Sequence, residues 1–327
     1  LKFKEFAWNG FSIEIPESMR LTAEGGYLNS GYLRLEMEGF LMEIKWDPLD
    51  PKKAKPLAEV AESFLKTAKK TIEKETKKKI DLKVEVMEDK FISSHSAYSM
   101  IVKSGAREPI YIWNCNESKR TILVHFTSVL PGKDETELIG RILESFKCHG
   151  KEDFIPWSAL NMRFALPSSF LLSDRRMAVG RTYLIFNEQK PSAFTEKGRS
   201  LVIEFFSMAN VLFGDKCKNL EEWFKADYWK DLKKRCKNIS FQTTETSMQK
   251  VMRHKVIYRR GVKKTGFFWR RTTVSENFTW YCFKSNRIYS VSFVSYISRP
   301  FFLKRIIDKE NDSRVLQGFL SSFKCHF

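Results

Sequence analysis

The chain is poor in the features that would assign it a chemistry. No uninterrupted apolar run reaches about 18 residues, so no transmembrane helix is expected. The opening residues hold no secretory h-region. A cytoplasmic location is the expectation, with a removed leader left open by the initial Leu1. Cysteine is sparse, six in 327 residues, and no Cys-x-x-Cys pair occurs, which argues against a disulfide scaffold or a zinc ribbon. The phosphate loop GxxxxGK[ST], the dinucleotide fingerprint GxGxxG, the HExxH metalloprotease helix and the GxSxG nucleophile elbow are all missing. Only five histidines are present, at 95, 125, 149, 254 and 326, and nothing pairs any of them with a nucleophile. The reading is therefore of a non-enzyme without a cofactor. Glutamine is also scarce, at four, beside many Lys and Glu, a balance expected of a thermophilic prokaryote.

What is present is apolar bulk and positive charge. Apolar residues make up 43% and charged residues 29%, a globular composition, and 28 Phe supply large core side chains. The length suits two ordinary domains. The net charge of +18 is lopsided. Residues 1–150 carry 24 Lys and Arg against 23 Asp and Glu; residues 151–327 carry 33 against 16. A field of that kind draws nucleic acid, anionic membrane or acidic protein, or simply keeps the chain dissolved.

An internal repeat organises the chain. Leu143–His149 (Leu-Glu-Ser-Phe-Lys-Cys-His) recurs as Leu320–His326 (Leu-Ser-Ser-Phe-Lys-Cys-His), with one difference. Trp113-Asn-Cys115 recurs as Trp280-Tyr-Cys282, and His95 with Tyr98 has a looser echo at His254 with Ile257. The strand Phe11–Pro16 recurs as Met162–Pro167. The offsets grow in order, 151, 159, 167 and 177, as duplication followed by insertion in the second copy requires. The domains predicted are 1–150 and 151–327, the second strongly basic.

Each copy reads as a short strand ending in Pro, further strands, an amphipathic helix (near 56–79 and 219–236), four more strands and a closing helix. In the first copy the strands after the helix are expected near 82–88, 95–103, 109–114 and 120–128. Leu57, Val60, Ala61, Phe64, Leu65, Ala68 and Ile72 form one stripe; Ile139, Ile142 and Phe146 form another. The fold class expected is α+β: two tandem α/β/α sandwiches, each a mainly antiparallel sheet covered by amphipathic helices.

This order of elements resembles the PsbP-like superfamily, which includes Ran-binding relatives. The likeness rests on Gly10–Pro16, the first long helix, the strand carrying His95 and Tyr98, and the closing helix ending in Ser145-Phe146. It implies an α/β/α sandwich and non-catalytic binding, with a protein partner, and brings no catalytic residues. The tandem arrangement and the Cys-His endings depart from the family pattern.

Two groups of residues remain as candidate sites. Cys115, Cys148, Cys282 and Cys325 are kept in both copies. They are compatible with disulfides Cys115–Cys148 and Cys282–Cys325, worth about 3–4 kcal/mol in the chain-entropy model. The first reading is buried free thiols acting as small hydrophobes; the disulfides come second, and a metal site adding His149 or His326 but lacking a fourth ligand comes last. The other group is a basic segment without acidic residues: Arg253, Lys255, Arg259, Arg260, Lys263, Lys264, Arg270 and Arg271, interleaved with Tyr258, Phe267, Phe268 and Trp269. Gly261 and Gly266 are expected to bracket its turn. Such a ribbon suits phosphates and stacked bases, which makes nucleic acid or another polyanion the alternative partner.

Overall fold

The computed structural model describes all residues except 80–81, 88–89, 104–106, 131, 151–153, 192–193, 216–218, 237–238, 248–250, 252–253, 304–308 and 327. The chain divides into two compact units, Leu1–Glu152 with Pro156–Leu160, and Asp153–Ile155 with Asn161–Phe327.

The first unit opens with β1 (Phe3–Trp8) and β2 (Phe11–Pro16), an antiparallel hairpin with Trp8 opposite Phe11. Asn9 and Gly10 both take positive φ, 47° and 83°, as a two-residue hairpin turn demands. Then follow β3 (Arg20–Gly26), β4 (Gly31–Met37), β5 (Phe40–Pro48), α1 (Leu57–Thr76), β6 (Lys83–Val86), β7 (Lys90–Ile92), β8 (His95–Lys103), β9 (Arg107–Cys115), β10 (Arg120–Ser128) and α2 (Gly132–Ser145). The main sheet has the order β3-β4-β5-β10-β9-β8-β6, with β7 beside β8, and its pairs are antiparallel.

The second unit runs through β11 (Phe154–Ala159), β12 (Met162–Pro167), β13 (Leu171–Ala178), β14 (Arg181–Pro191), β15 (Glu196–Ser207), α3 (Ala209–Asp215) and α4 (Leu220–Trp223). A π-helical turn at Phe224–Tyr228 leads into α5 (Trp229–Arg235), then β16 (Thr243–Ser247), β17 (Val256–Thr265), β18 (Trp269–Cys282), β19 (Arg287–Pro300) and α6 (Lys309–Ser322). Its sheet has the order β13-β14-β15-β19-β18-β17-β16, also antiparallel. Read strand for strand, that is the order of the first sheet.

The expected helix-covered α/β/α sandwich is not what forms. The chain is mostly antiparallel β with few helices. In the first unit α1 lies on one face over Met100, Val102, Ile110, Ile112 and Leu123. The other face takes a hairpin together with a helix: Phe11 of β2 meets Trp46 edge-on and stacks on Phe146, just past α2. The physical reason lies in β2, whose alternate residues Phe11, Ile13 and Ile15 are buried. A hairpin with one apolar face can cover a sheet as a helix does. The Asn9-Gly10 pair marks the hairpin in the sequence, while its place over the sheet follows from the buried face of β2.

Gly261 is another correction. It sits inside β17, where an added Cβ would come within 1.8 Å of the Ser240 carbonyl oxygen. Only Gly266, with φ of 83°, belongs to the turn. Gly261→Ala is expected to destabilise the second unit by about 2 kcal/mol or more, read from urea unfolding.

In β10, His125 stands between two carboxylates, 2.9 Å from Glu108 and 3.6 Å from Glu43. Burial pulls its pKa down, but Glu108 and Glu43 outweigh burial and hold it above the ordinary value. A raised folded-state pKa contributes stability that is full below the unfolded value, about 6.5, and is lost as pH rises through the folded value. Wild type is therefore expected to lose more stability than His125→Gln as pH rises from about 6 to 9, measured by denaturant titration.

Candidate metal centre

Four chain segments converge at the end of each closing helix. In the first unit the residues after α2 turn back on β2 in a single antiparallel bridge: Ser12 N–H donates to Lys147 O at 2.9 Å and Lys147 N–H to Ser12 O at 2.8 Å. Glu14 N–H also donates to Ser145 Oγ at 2.8 Å. The second unit repeats the arrangement with Arg163 and Lys324 at 2.9 and 2.7 Å, and with Ala165 N–H on Ser322 Oγ at 3.0 Å. Phe146 stands perpendicular to Trp113 at 5.0 Å, and Phe323 to Trp280 at 5.4 Å. The bridge and the ring contact fix the helix end, and the next residues are Cys148-His149 and Cys325-His326.

These residues meet two others from the sheet. Cys115 ends β9 and His95 begins β8; Cys282 ends β18 and His254 precedes β17. One donor atom from each of His95, Cys115, Cys148 and His149 lies within 4.8 Å of every other, and the same holds for His254, Cys282, Cys325 and His326. The Nδ1 of His149 is 3.3 Å from both Cys115 Sγ and Cys148 Sγ. In the second unit His326 Nδ1 is 3.3 Å from Cys282 Sγ and 3.4 Å from Cys325 Sγ, while His254 Nε2 is 3.1 Å from Cys325 Sγ. All four sulfurs are buried.

The geometry suits a tetrahedral ion. Zinc with Zn–S near 2.3 Å and Zn–N near 2.0–2.1 Å needs donor separations of about 3.3–3.8 Å. The His95 Nε2 atom is buried without a hydrogen-bond partner, an expensive state for an imidazole nitrogen unless something binds it. The hydrogen bond from the Cys148 thiol holds Cys115 well below the usual thiol range and drives Cys148 the other way. The Ser118 backbone N–H, 3.3 Å from Cys115 Sγ, supports negative charge on that sulfur. Burial pushes Cys325 up to about 12 and lowers His254 and His326, which favours neutral imidazoles with lone pairs to offer.

The fourth ligand missing from the sequence pattern is thus His95 in one copy and His254 in the other. Their signal was the loose repeat echo, since four of the five histidines fall in repeat pairs. A further shared pattern supports the site from outside: Cys115-x-x-Ser118-x-Arg120 matches Cys282-x-x-Ser285-x-Arg287. Arg120, buried, donates to Asn9 O at 2.7 Å and to Cys148 O at 3.0 Å, tying the hairpin turn to the ligand segment. In the second unit Tyr289 Oη holds the Cys325 carbonyl at 3.3 Å instead.

The basic segment is split by the fold. Arg259 is buried: its guanidinium donates to Glu221, to Asn277 Oδ1 at 3.1 Å and to Thr279 Oγ1 at 3.2 Å, and lies 3.6 Å over the Phe224 ring. It is occupied by its own unit. Arg271 lies 3.7 Å over Tyr296. Lys255, Arg260, Lys263, Lys264, Trp269 and Arg270 are exposed, and Arg253 lies outside the described residues. No helix among the described residues is long and apolar enough to cross a membrane.

Comparison with protein-family models and with curated proteins returned no match.

Replacing Arg259 with Met removes the buried donor to Asn277 Oδ1 and Thr279 Oγ1, while Glu221 keeps Lys225 at 3.4 Å, and is expected to cost about 2 kcal/mol. Arg270→Gln, on an exposed position of the same ribbon, is expected to stay within about 0.5 kcal/mol of wild type by thermal or urea unfolding.

Proposed function

We propose that the chain is a tandem metal-binding protein in which each unit holds one zinc ion through two cysteines and two histidines: His95, Cys115, Cys148 and His149 in the first, His254, Cys282, Cys325 and His326 in the second. The observation that carries this reading is the convergence of the same four donor types, from matching positions, in both copies. Two sulfurs and two imidazole nitrogens within 4.8 Å of one another suit zinc better than calcium or magnesium, which prefer oxygen. Four protein donors leave no coordination position for water or substrate, so the sites are of the structural kind and not the hydrolytic kind. Each unit then acts as a non-catalytic scaffold whose stability depends on its metal, in keeping with a role in binding a protein partner.

A paired disulfide would use the same cysteines but gives the two histidines of each cluster no work. The distinction is directly measurable. Protein purified without added metal is expected to contain one zinc per unit by elemental analysis and to show the full reduced mass under denaturing conditions. Cys148→Ser is expected to halve the zinc content, and Cys148→Ser with Cys325→Ser to abolish it. A chelator is expected to remove at least about 3 kcal/mol from a unit, near 10 °C in Tm for a unit of this size. A metal-free protein lighter by two mass units for each cysteine pair would replace this reading with disulfides.

A further inference from the structure

Phe267 and Phe268 form the tip between β17 and β18, and Trp269 begins the return strand. They are 76%, 73% and 50% exposed. Phe301 and Phe302, just past β19, are 52% and 69% exposed. The two segments lie side by side: Trp269 pairs with Pro300, and Phe301 N–H donates to Phe268 O at 2.9 Å. The rings touch in series. Phe267 meets Phe268 at 5.0 Å, Phe268 meets Phe301 at 6.4 Å, and Phe301 meets Phe302 at 5.7 Å. This is one continuous aromatic projection on the second unit, and water is a poor environment for it.

Its surroundings are cationic. Lys263, Lys264 and Arg270 are exposed within a few residues of the tip, and Arg299 pairs with Arg270 across the strands. Neither 251–275 nor 287–303 contains an acidic residue. Of the neighbouring carboxylates, Glu276 is engaged by Tyr258 and Glu196 by Tyr296 at 2.9 Å. Charge complementarity thus calls for an anionic partner that also offers apolar volume.

The geometry points to the surface of an anionic lipid bilayer as that partner, with the five rings entering the headgroup–acyl boundary and the Lys and Arg side chains meeting lipid phosphates and carboxylates. Phe and Trp suit that boundary, and basic residues beside it add attraction to anionic lipid. Single-stranded nucleic acid fits the rings less well. Base stacking needs open ring faces one after another, whereas neighbouring Phe rings here cross at 89°, 70° and 83° and form a wedge. The surface belongs to the second unit alone and does not rest on the metal reading.

The test uses the full-length chain and vesicle sedimentation. Vesicles of phosphatidylcholine mixed with phosphatidylserine are expected to capture the protein, and vesicles of phosphatidylcholine alone to capture far less. Phe267→Ser with Phe268→Ser is expected to weaken capture at least about tenfold. Lys263→Gln, Lys264→Gln and Arg270→Gln together are expected to weaken it and to flatten its dependence on salt. Both variants alter exposed side chains, and an unchanged Tm and circular dichroism spectrum confirm that they fold. A blue shift in tryptophan emission on vesicle binding, absent from Trp269→Phe, places the tip in the bilayer. Failure to bind anionic vesicles, or capture that survives the two Phe substitutions, overturns the proposal. So does binding of a single-stranded oligonucleotide that those substitutions abolish while vesicles are ignored.

Discussion

The arrangement of each unit depends on a contact of two residues. After its closing helix the chain makes one reciprocal pair of backbone hydrogen bonds with the second strand of the opening hairpin, Ser12 with Lys147 and Arg163 with Lys324. That pair fixes where the following cysteine and histidine stand. The perpendicular Trp–Phe contact beneath it carries the apolar part of the same junction. Without it, Cys148 and Cys325 would end a frayed helix and would not oppose Cys115 and Cys282. The hydrophobic layer and the donor cluster are thus two consequences of one docking event, which accounts for the retention of Phe, Cys and His together in both copies.

The extent to which this was legible varied with the kind of information. The strand reading gave β8 and β10 at their observed limits, carried by their apolar and β-branched content, although neither alternates strictly: Ser99–Val102 and Ile122–Val124 are consecutive buried residues. The stripe from Leu57 gave α1, and Asn219 caps α4 as its side chain suggests, accepting the Glu222 N–H at 2.9 Å. The layer architecture was not legible in the same way. Whether Phe11–Pro16 joins the main sheet or folds over it depends on pairing between distant residues, and alternation is identical in both cases. The long second-unit strands β18 and β19 show the same limit, since a strand buried on both faces loses its alternation.

The donor clusters show what repeat logic adds to motif logic. A spacing search finds no zinc motif here because the four ligands come from three separated places, and only the last two are adjacent. The repeated Cys-His ending exposed half of the set. His95 and His254 were visible as repeat partners, but their distance from the cysteines is a property of how β8 lies beside β9 and β17 beside β18. The basic ribbon taught the reverse lesson. Charge counting treated Arg259 as equivalent to Arg260, yet strand alternation turns the first inward against Glu221 and the second outward.

The placement of the donors along the chain has a consequence for synthesis. Every donor of the first cluster precedes residue 150, and the first donor of the second is His254. Domains emerging from the ribosome fold in order, the N-terminal one first. The first ligand set is therefore complete while more than a hundred residues are still to be translated, and it closes only when its last helix docks. A nascent chain arrested between the two sets would already own a finished half, its four donors in place without waiting for its twin.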